Sequence, residues 1–355
     1  MKNYNPARFS RVRSSVALAA ALMLLATLGV PVENANAGHK NKTNACSQTS
    51  RLMRMACYAE GRDDYLVELA KCVNESEWRE RRECESDVRE SISEIYSECG
   101  EQFEARQEVC DAIGQDPYDP EFEPEDFETD LNSLSMPNPY YPMAVGHHWL
   151  LSDGEETIDI EVLDETKLID DITCFVIRDT VSVDGKLVED TDDWFAHAKD
   201  GAIWYCGEEV KDFEFFEGDM PSLPELVSID GSFKVEVDGA RAGVSFPAIP
   251  EVGDVYRQEF SLGNAEDVAE VVSTDYSYGK DPDLDVLVPQ ELAELLCNDD
   301  CVVVFEYSPL EPGAFGLKYY ARNVGFFLET VPEEDVAVQL IACNMDSRCD
   351  DLPDL

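Results

Sequence analysis

The chain has 355 residues and carries 76 Asp and Glu against 27 Lys and Arg, which gives a formal net charge of −49. A surface this negative repels phosphate backbones and anionic lipid headgroups, so the composition argues against nucleic acid and acidic membranes as partners. Divalent cations or a basic partner in the cell envelope remain as alternatives. We favour the simpler interpretation that the charge confers solubility, for example in salt, because charge runs usually face solvent.

The first 37 residues have the pattern of a cleavable secretory signal peptide. Four basic residues precede an apolar run over residues 16–30, and Ala35-Asn36-Ala37 follows as a cleavage motif. The run is too short to span a bilayer, and no later segment approaches 18 uninterrupted apolar residues, so we expect no membrane span. The sequence therefore predicts a secreted or periplasmic protein whose twelve cysteines form disulfides.

Residues 38–114 are predicted to form a Cys-rich helical hairpin. Residues 44–113 lack proline and are rich in Ala, Glu, Arg and Leu, which favours helix. Capping residues at 74–77 divide this stretch in two, and Gly114 with Pro117 ends the second helix. A short helical pair with few large apolar residues cannot bury enough surface to be stable alone, so we expect disulfides to replace a core.

The six cysteines of this segment are symmetric about Trp78. In antiparallel helices, positions equidistant from the turn lie side by side, which favours three nested pairs: Cys46–Cys110, Cys57–Cys99 and Cys72–Cys84. Fifteen pairings of six cysteines exist. The caps centre the turn nearer residue 75, a shift of about 4.5 Å per side at helical rise. Either the loop extends toward Arg82, or a break at Gly61 produces three helices.

Residues 115–139 contain five prolines, and eight Asp or Glu lie between residues 116 and 130. This composition predicts an acidic, Pro-rich linker that is either extended by self-repulsion or laid as a strap along the surface.

Residues 140–330 are predicted to form an antiparallel β domain. Short runs rich in Val, Ile, Thr and aromatics give about ten strands, and Asp184-Gly185 and Asp200-Gly201 mark hairpin turns. One helix is expected at residues 288–297. The predicted fold class is α+β, with a disulfide-stapled α-helical hairpin followed by a mainly antiparallel β domain that forms a curved sheet or partly closed barrel. Residues 331–355 are expected to form an acidic C-terminal tail.

Several segments resemble a group of secreted bacterial proteins of unknown function. They include "NPYYPMAVGHHW", "CFVIRDTVSVDGKLVEDTDDWFAHAKDGAIWYCGE", "PEVGDVYRQEF", "AEDVAEVVS" and "YSPLEPGAFGLKYYARNVGFF". The resemblance covers about residues 137–330, and the Cys-rich helical segment resembles a companion found in part of the group. It implies a β-rich extracytoplasmic domain and no particular catalytic residues. The sequence departs from the group at residues 280–300, which are longer, and in four extra cysteines: Cys206, Cys297, Cys343 and Cys349.

The resemblance also suggests a disulfide pattern for the second half of the chain. Cys174 and Cys301 lie in segments where the group also has cysteine, which suggests that they pair. Cys343 and Cys349 are close enough in sequence for a local loop. Cys206 is then left with Cys297.

Signals for catalysis are weak. The chain has four histidines, and a metal site at a sheet edge would combine His147, His148 and His197 with Asp192 or Asp193. Neighbouring side chains on a strand point to opposite faces, however, so His147 and His148 cannot easily both bind one ion. No nucleophile motif of a serine hydrolase occurs, and cysteines that pair cannot act as nucleophiles. We therefore predict that the protein is not an enzyme and needs no cofactor, apart from the calcium site considered next.

Two binding sites can be derived from the residue pattern. An aromatic belt, represented by Trp194, Trp204, Tyr205 and Phe215, is arranged as in the wall of an apolar ligand pocket, although a β-domain core is the simpler interpretation. Asp281, Asp283 and Asp285 alternate as in a calcium loop, but the EF-hand pattern is incomplete.

The sequence favours a non-catalytic binding or structural module of the cell envelope. The alternative is a half-barrel carrier of an apolar, lipid-like ligand. A third candidate is a carboxylate-dependent hydrolase, for which two closely spaced acids, for example two of Asp190, Asp192 and Asp193, would serve as a catalytic pair.

Overall fold

The structure is a computed structural model, which describes residues 44–355. This part of the chain begins with two long helices. Helix α1 (Ala45–Val73) is joined to helix α2 (Trp78–Ile113) by a short turn, and the two helices pack side by side, as predicted. The predicted signal peptide lies outside the described residues. No helix within residues 44–355 is long and apolar enough to cross a membrane.

Three disulfides join the two helices near both ends and in the middle. They are Cys46–Cys110, Cys57–Cys99 and Cys72–Cys84, with Cα–Cα distances of 5.6, 5.7 and 5.6 Å, so the nested pairing is confirmed. Besides cysteines, the apolar side chains that α1 and α2 bury are Val88 and Val109. Because so little apolar surface is buried, the disulfides take the place of a core.

Gly61 lies inside α1 and marks a close contact, not a break. A Cβ atom at this position would lie 2.5 Å from Cγ2 of Ile95 on α2. The three-helix alternative is therefore wrong, and so is a loop extending to Arg82, since α2 begins at Trp78. The disulfide nearest the turn, Cys72–Cys84, is therefore not equidistant from the two helix ends. Cys72 lies one residue before the end of α1, whereas Cys84 lies six residues after the start of α2.

The acidic segment after the hairpin is a strap against the β region. Phe122 and Phe127 contact the ring of Trp204, with centroid distances of 5.7 and 6.1 Å. Leu131, in a short 3-10 turn, is buried in the main core. Aromatic residues spaced among the acidic ones thus attach the segment, while its acidic residues, apart from the buried Glu128, remain at the surface.

The β region contains fifteen strands and a short helix, α3 (Gln290–Leu296). The strands are β1 (His148–Ser152), β2 (Glu156–Ile169), β3 (Ile172–Val183), β4 (Lys186–His197), β5 (Ile203–Glu209), β6 (Asp212–Glu214), β7 (Glu225–Ser228), β8 (Phe233–Lys234), β9 (Gly243–Phe246), β10 (Val255–Arg257), β11 (Val268–Tyr276), β12 (Cys301–Tyr307), β13 (Phe315–Ala321), β14 (Gly325–Val331) and β15 (Val336–Cys343). The turn predicted at Asp184-Gly185 joins β3 to β4, and both residues have positive φ.

All strands belong to one antiparallel sheet. The hydrogen-bonded order is β10-β11-β12-β13-β14-β15-β1-β2-β3-β4-β5-β8, with β9 beside β5 and the β6–β7 pair beside β4. Within residues 44–355 the sheet curls without closing. The predicted fold class, a stapled helical hairpin followed by a curved antiparallel sheet, is confirmed.

Each face of β3, β4 and β5 has its own core. Alternate residues such as Phe175, Ile177 and Phe195 join the main core inside the curl, which also buries Leu292 and Leu296 of α3. The opposite face carries a second cluster that includes Trp194 and is covered by the strap. A strand buried on both faces explains the near-continuous apolar runs in this part of the sequence.

Two of the disulfides expected in the β region are wrong. Cys174 on β3 pairs with Cys206 on β5, and Cys297 pairs with Cys301. Cys174 and Cys301 do not meet, because Cys174 belongs to the second cluster on the outer face of the sheet, whereas Cys301 lies in the main core inside the curl. Cys297 ends α3 and Cys301 begins β12, so the turn between these elements brings them together. The local pair Cys343–Cys349 is confirmed.

The predicted acidic tail at residues 331–355 is partly a strand. Residues Val336–Cys343 form β15, which pairs with β14 on one side and β1 on the other. The run "VAVQLIAC" alternates as a half-buried strand does, so the β region extends at least to Cys343.

The helical hairpin docks on the β region through polar contacts. Arg106 on α2 donates two hydrogen bonds of 2.8 Å to Glu266 in the loop before β11. Gln102 Nε2 donates to the carbonyl of Leu310 at 2.9 Å. The six disulfides are typical of proteins that fold in oxidising, extracytoplasmic compartments.

Candidate functional site

A cavity of about 250 Å³ lies inside the curl of the sheet. We call it the carboxylate cavity, because five of its lining residues are acidic: Asp179, Asp193, Glu259, Asp267 and Glu306. Asp179 and Asp193 come from β3 and β4, whereas Glu306 comes from β12. These strands are far apart in the sheet order and face one another across the cavity because the sheet curls.

Strand alternation places these carboxyl groups on the inner face. Asp193 pairs directly with Ile177, and Asp179 lies two residues further along the same face of β3. Tyr205 pairs with Phe195, which is two residues from Asp193. Because alternate residues of a strand share a face, these acids occupy positions where the neighbouring residues are apolar core residues.

Lys318 on β13 is the one cationic side chain that lines the cavity among the described residues. Its Nζ lies 2.6 Å from Oε2 of Glu306, and its backbone partner across the ladder is Glu329. Burial acts to lower the pKa of Lys318, but the carboxylates of Glu306 and Glu329 outweigh it and raise the pKa well above the usual value. Lys318 is therefore fully charged and already paired.

The remaining carboxyl groups are short of cations. Desolvation raises the pKa of Asp193 to about 7, and the nearby Glu189 and Asp192 add to this. Desolvation also raises the pKa of Asp179 and of Glu259 well above the ordinary values, with further carboxylates as the second cause. Desolvation raises the pKa of Asp267 as well. Part of this cluster thus holds protons near neutral pH.

Tyr205 connects Asp193 to a sixth acid, Glu208, which is not among the five lining residues. Its hydroxyl donates a hydrogen bond to Oδ1 of Asp193, and Oε2 of Glu208 lies 3.1 Å from the same phenolic oxygen. A phenol has a single proton, so Glu208 bonds to that oxygen as a donor when it is protonated. Desolvation raises the pKa of Glu208 to about 8, which fits this role.

Asp179 supplies the other notable polar atom. Its Oδ1 is buried and has no hydrogen-bond partner within residues 44–355. An unpartnered buried oxygen costs free energy, which a proton or a bound donor would offset. The cavity wall therefore presents an acceptor that a positively charged hydrogen-bond donor can use.

The four aromatic residues predicted to line an apolar pocket do not come together. Tyr205 lines the carboxylate cavity, whereas its neighbour Trp204 points to the other face, where it packs against the strap. Trp194 is buried in the second cluster, with Lys167 Nζ 3.1 Å from its ring centroid. Phe215 follows β6 at the surface. The predicted pocket is wrong because adjacent strand residues face opposite ways.

The predicted calcium ligands lie in the loop between β11 and α3. Asp285 accepts hydrogen bonds from the Tyr276 hydroxyl at 2.9 Å and the Gly279 amide at 3.0 Å. Asp281 accepts from the Asp283 amide. Within residues 44–355 no group of three acidic, His or Cys side chains is placed to hold a metal. These hydrogen bonds give the carboxylates of Asp281 and Asp285 a role in shaping the loop, and a calcium ion here stays a prediction.

The histidines are dispersed. His197 ends β4, is fully buried, and its Nδ1 lies 2.9 Å from the carbonyl of Ala198. His148 pairs with Asp159 at 2.7 Å on the outer part of β1 and β2. The structure therefore does not bring His147, His148 and His197 together.

The sequence contained a signal for the carboxylate cavity that the composition obscured. In "FVIRDTV" the inward series is Phe175, Ile177, Asp179 and Val181, so one carboxylate interrupts an apolar series. With 76 acidic residues in the chain, a single Asp on a strand is easily assigned to the surface. The position of Asp179 along the strand distinguishes it from a surface acid, because a residue that lies two positions from a core residue points to the same face.

Comparisons with known proteins return no relative. No family model matches the sequence, and neither a curated protein nor a solved structure matches the chain. The resemblance to a group of secreted bacterial proteins stays a prediction.

Proposed function

We propose that the protein is a non-catalytic, secreted or periplasmic binding module that holds a small organic cation in the carboxylate cavity. The observation that carries this proposal is the charge imbalance: five lining carboxyl groups face one lysine among the described residues, and that lysine is already paired. A bound ammonium group would supply the missing positive charge and donate to acceptors such as Asp179 Oδ1.

The size and lining of the cavity favour an organic cation over a bare metal ion. A volume of about 250 Å³ suits a molecule of several heavy atoms, and the rings of Tyr141, Tyr205 and Tyr320 line the walls. Aromatic faces attract ammonium groups, most strongly where water is displaced. The same carboxyl groups disfavour the lipid-like ligand of the half-barrel alternative, since an apolar molecule would desolvate them without any partner.

Secretion is supported by two independent features. All twelve cysteines form disulfides, and the first 37 residues carry the signal-peptide pattern. The resemblance to secreted bacterial proteins points the same way. A place in the cell envelope would expose the cavity to small solutes, while the acidic surface keeps the protein soluble.

Isothermal titration with benzylamine tests the proposal. The probe combines an ammonium group with one aromatic ring, and about 150 mM NaCl screens adventitious binding to the acidic surface. We expect one site per chain, and Asp179→Asn or Asp193→Asn should weaken binding about 10- to 100-fold, as expected for the loss of a charged hydrogen bond. Asp164→Asn, at an exposed position of β2, is the matched control and should bind as the wild type does.

Binding should also release protons, because the ammonium group stabilises the ionised form of Asp193, whose pKa is about 7 in the free protein. Affinity should therefore rise from pH 6 to pH 8. The proposal is wrong if benzylamine binds the Asp179→Asn/Asp193→Asn double variant as well as the wild type. It is also wrong if calcium, and not benzylamine, binds in a manner that requires Asp193.

A carboxylate-dependent hydrolase is the second candidate, favoured by the Asp193–Tyr205–Glu208 group. Carboxyl groups with pKa values of about 7 and 8 are suited to general acid or base chemistry near neutral pH. Hydrolysis of nitrophenyl glycosides that is lost in Asp193→Asn, with the Asp164→Asn protein fully active, would favour this candidate. Equal background rates in all three proteins would exclude it for these substrates.

A further inference from the structure

A second cavity, of about 520 Å³, lies where the helical hairpin meets the β region. We call it the arginine pocket, after Arg106 and Arg257, which both line it. Its walls combine the start of α1 and the end of α2 with β9, β10 and the strap. The pocket is distinct from the carboxylate cavity, because the two cavities share no lining residue.

Arg106 is satisfied on one side. Its Nε and Nη2 each donate to Glu266 at 2.8 Å, and Glu266 also accepts from the Gly263 amide at 2.7 Å. Both side chains are almost fully buried, at 4% and 1% exposure. Nη1 of Arg106 has no hydrogen-bond partner within residues 44–355. Glu266 thus uses three of its about four acceptor positions on Arg106 and the loop, which leaves about one for a second guanidinium.

Arg257 has no such partner. It is 6% exposed, and neither Nε nor Nη1 finds a hydrogen-bond acceptor in residues 44–355. Its guanidinium carbon lies 5.1 Å from the ring centroid of Phe260 and 5.7 Å from that of Tyr118. Burial lowers the pKa of Arg257, partly offset by Glu266. Arginine remains charged in proteins, so this is a buried cation held between two rings.

The interior of the pocket is therefore positive in a protein that is otherwise strongly acidic. Two buried guanidinium groups share one buried carboxylate, that of Glu266. Asp116 also lines the pocket, but it is exposed to water, so its charge is screened. A buried charge without a partner is costly. One anion would accept hydrogen bonds from the nitrogens of both guanidinium groups that have no acceptor within residues 44–355.

We propose that the arginine pocket binds a small organic carboxylate between Arg106 and Arg257. The planar guanidinium fork matches the two oxygens of a carboxylate, and one negative charge balances the single uncompensated positive charge. The rings of Tyr118, Trp204 and Phe260 give the rest of the ligand an apolar surface to pack on. This site is independent of the proposed cation site, and its chemistry is the opposite.

Benzoate is the probe that tests the proposal, on the full oxidised protein without reductant. It has the same ring as benzylamine and the opposite charge, so each compound serves as the control for the other cavity. We expect one benzoate per chain by calorimetry and a rise in Tm on binding. Arg257→Met should weaken benzoate about 10- to 100-fold or more, and Arg257→Lys, which keeps the charge without the fork, should also bind more weakly.

The melting temperature of the free protein separates a binding role from a structural one. If Arg257 serves ligand binding, Arg257→Met removes an unpaired buried charge, and Tm should stay equal or rise. Arg322→Gln, at an exposed arginine that lies over the Tyr140 ring, is the matched control and should bind benzoate as the wild type does.

The proposal is overturned if benzoate at about 10 mM, tenfold above a millimolar Kd, leaves the wild-type Tm unchanged. It is equally overturned if Arg257→Met and Arg257→Lys bind benzoate with wild-type affinity. A pocket that binds inorganic phosphate and does not bind benzoate would also overturn it. Loss of benzylamine binding in an Asp193 variant that keeps its benzoate affinity would show that the two cavities act separately.

Discussion

Arg106 on α2 and Glu266 in the β region form a two-bond ion pair in which both side chains are almost completely buried. The two residues are 160 positions apart in the chain, so the pair connects the hairpin to the β region, as does the hydrogen bond from Gln102 to Leu310. Buried ion pairs add little stability over apolar residues of the same size, but removing one partner leaves an uncompensated charge. The pair therefore specifies how the hairpin docks.

Arg106→Ala should lower the free energy of unfolding by about 3–5 kcal/mol, because Glu266 is left buried and unpaired. Urea denaturation with the disulfides intact measures this. The double variant Arg106→Met/Glu266→Leu should recover part of the loss, since neither charge of the pair remains, while Arg257 loses the buried carboxylate that it shares. Additive losses in the two single variants and the double variant would contradict a direct coupling between these residues.

The carboxylate cavity should make the free protein more stable at mildly acidic pH. Asp193 has an ordinary pKa of 3.8, and its folded value is raised to about 7. The folded state thus binds the proton more tightly, so this contribution is fully present below about pH 4 and is lost as the pH rises through 7. Thermal melts from pH 8 to pH 5 should show a rising Tm.

Asp193→Asn should flatten this pH dependence, because its amide does not titrate and cannot become a buried anion. Asp164→Asn should retain the wild-type slope, which controls for the general relief of charge repulsion on acidification. If the slope is the same in all three proteins, Asp193 does not hold a proton at neutral pH.

Two glycines of the hairpin should respond in opposite directions to alanine. Gly61→Ala places a methyl group 2.5 Å from Cγ2 of Ile95, so it should destabilise the protein by about 1–3 kcal/mol through overpacking. Gly100→Ala meets no atom within 4 Å and should stabilise α2 by about 0.5–1 kcal/mol. Denaturation midpoints measure both. Ile95→Ala should rescue Gly61→Ala, and a failure to do so would show that the contact is not the cause.

The middle disulfide of the hairpin should matter more than the local one at Cys343–Cys349. Cys57 and Cys99 are 42 residues apart, and removing the link should cost about 4 kcal/mol by loop entropy. Cys343 and Cys349 are 6 residues apart, which corresponds to about 2 kcal/mol. Thermal melts of the paired Cys→Ser variants test the order. The reverse order would indicate that packing, and not loop closure, governs the hairpin.

Local patterns predicted much of this fold from the sequence. The three hairpin disulfides follow from local spacing, because cysteines such as Cys57 and Cys99 lie at similar distances from the turn between the two helices. Cys174 and Cys206 were mispaired because their contact depends on the order of strands in the sheet, which no local pattern contains. β15 was overlooked because it follows an acidic turn at residues 332–335, although its own residues alternate as a strand.

The candidate site was harder to foresee, since it depends on which strands face each other. Asp193 was singled out as one of several acids, but its partners on β12 and β13 are more than 100 residues away. The predicted aromatic pocket is wrong because Trp204 and Tyr205, as neighbours on β5, face opposite sides of the sheet. Arg257 gave no signal at all, since burial of a lone arginine follows from how the hairpin docks.

The position of β15 between β14 and β1 has a consequence for how the molecule is assembled. As the chain emerges from the ribosome or a translocation pore, β1–β5 and β10–β14 can each zip together, yet their facing edges stay bare until residues 336–343 arrive. A strand made after both halves is thus the seam between them. Until it is inserted, both halves are liable to pair with neighbouring chains, and a short-lived holding factor would have its greatest effect in that interval.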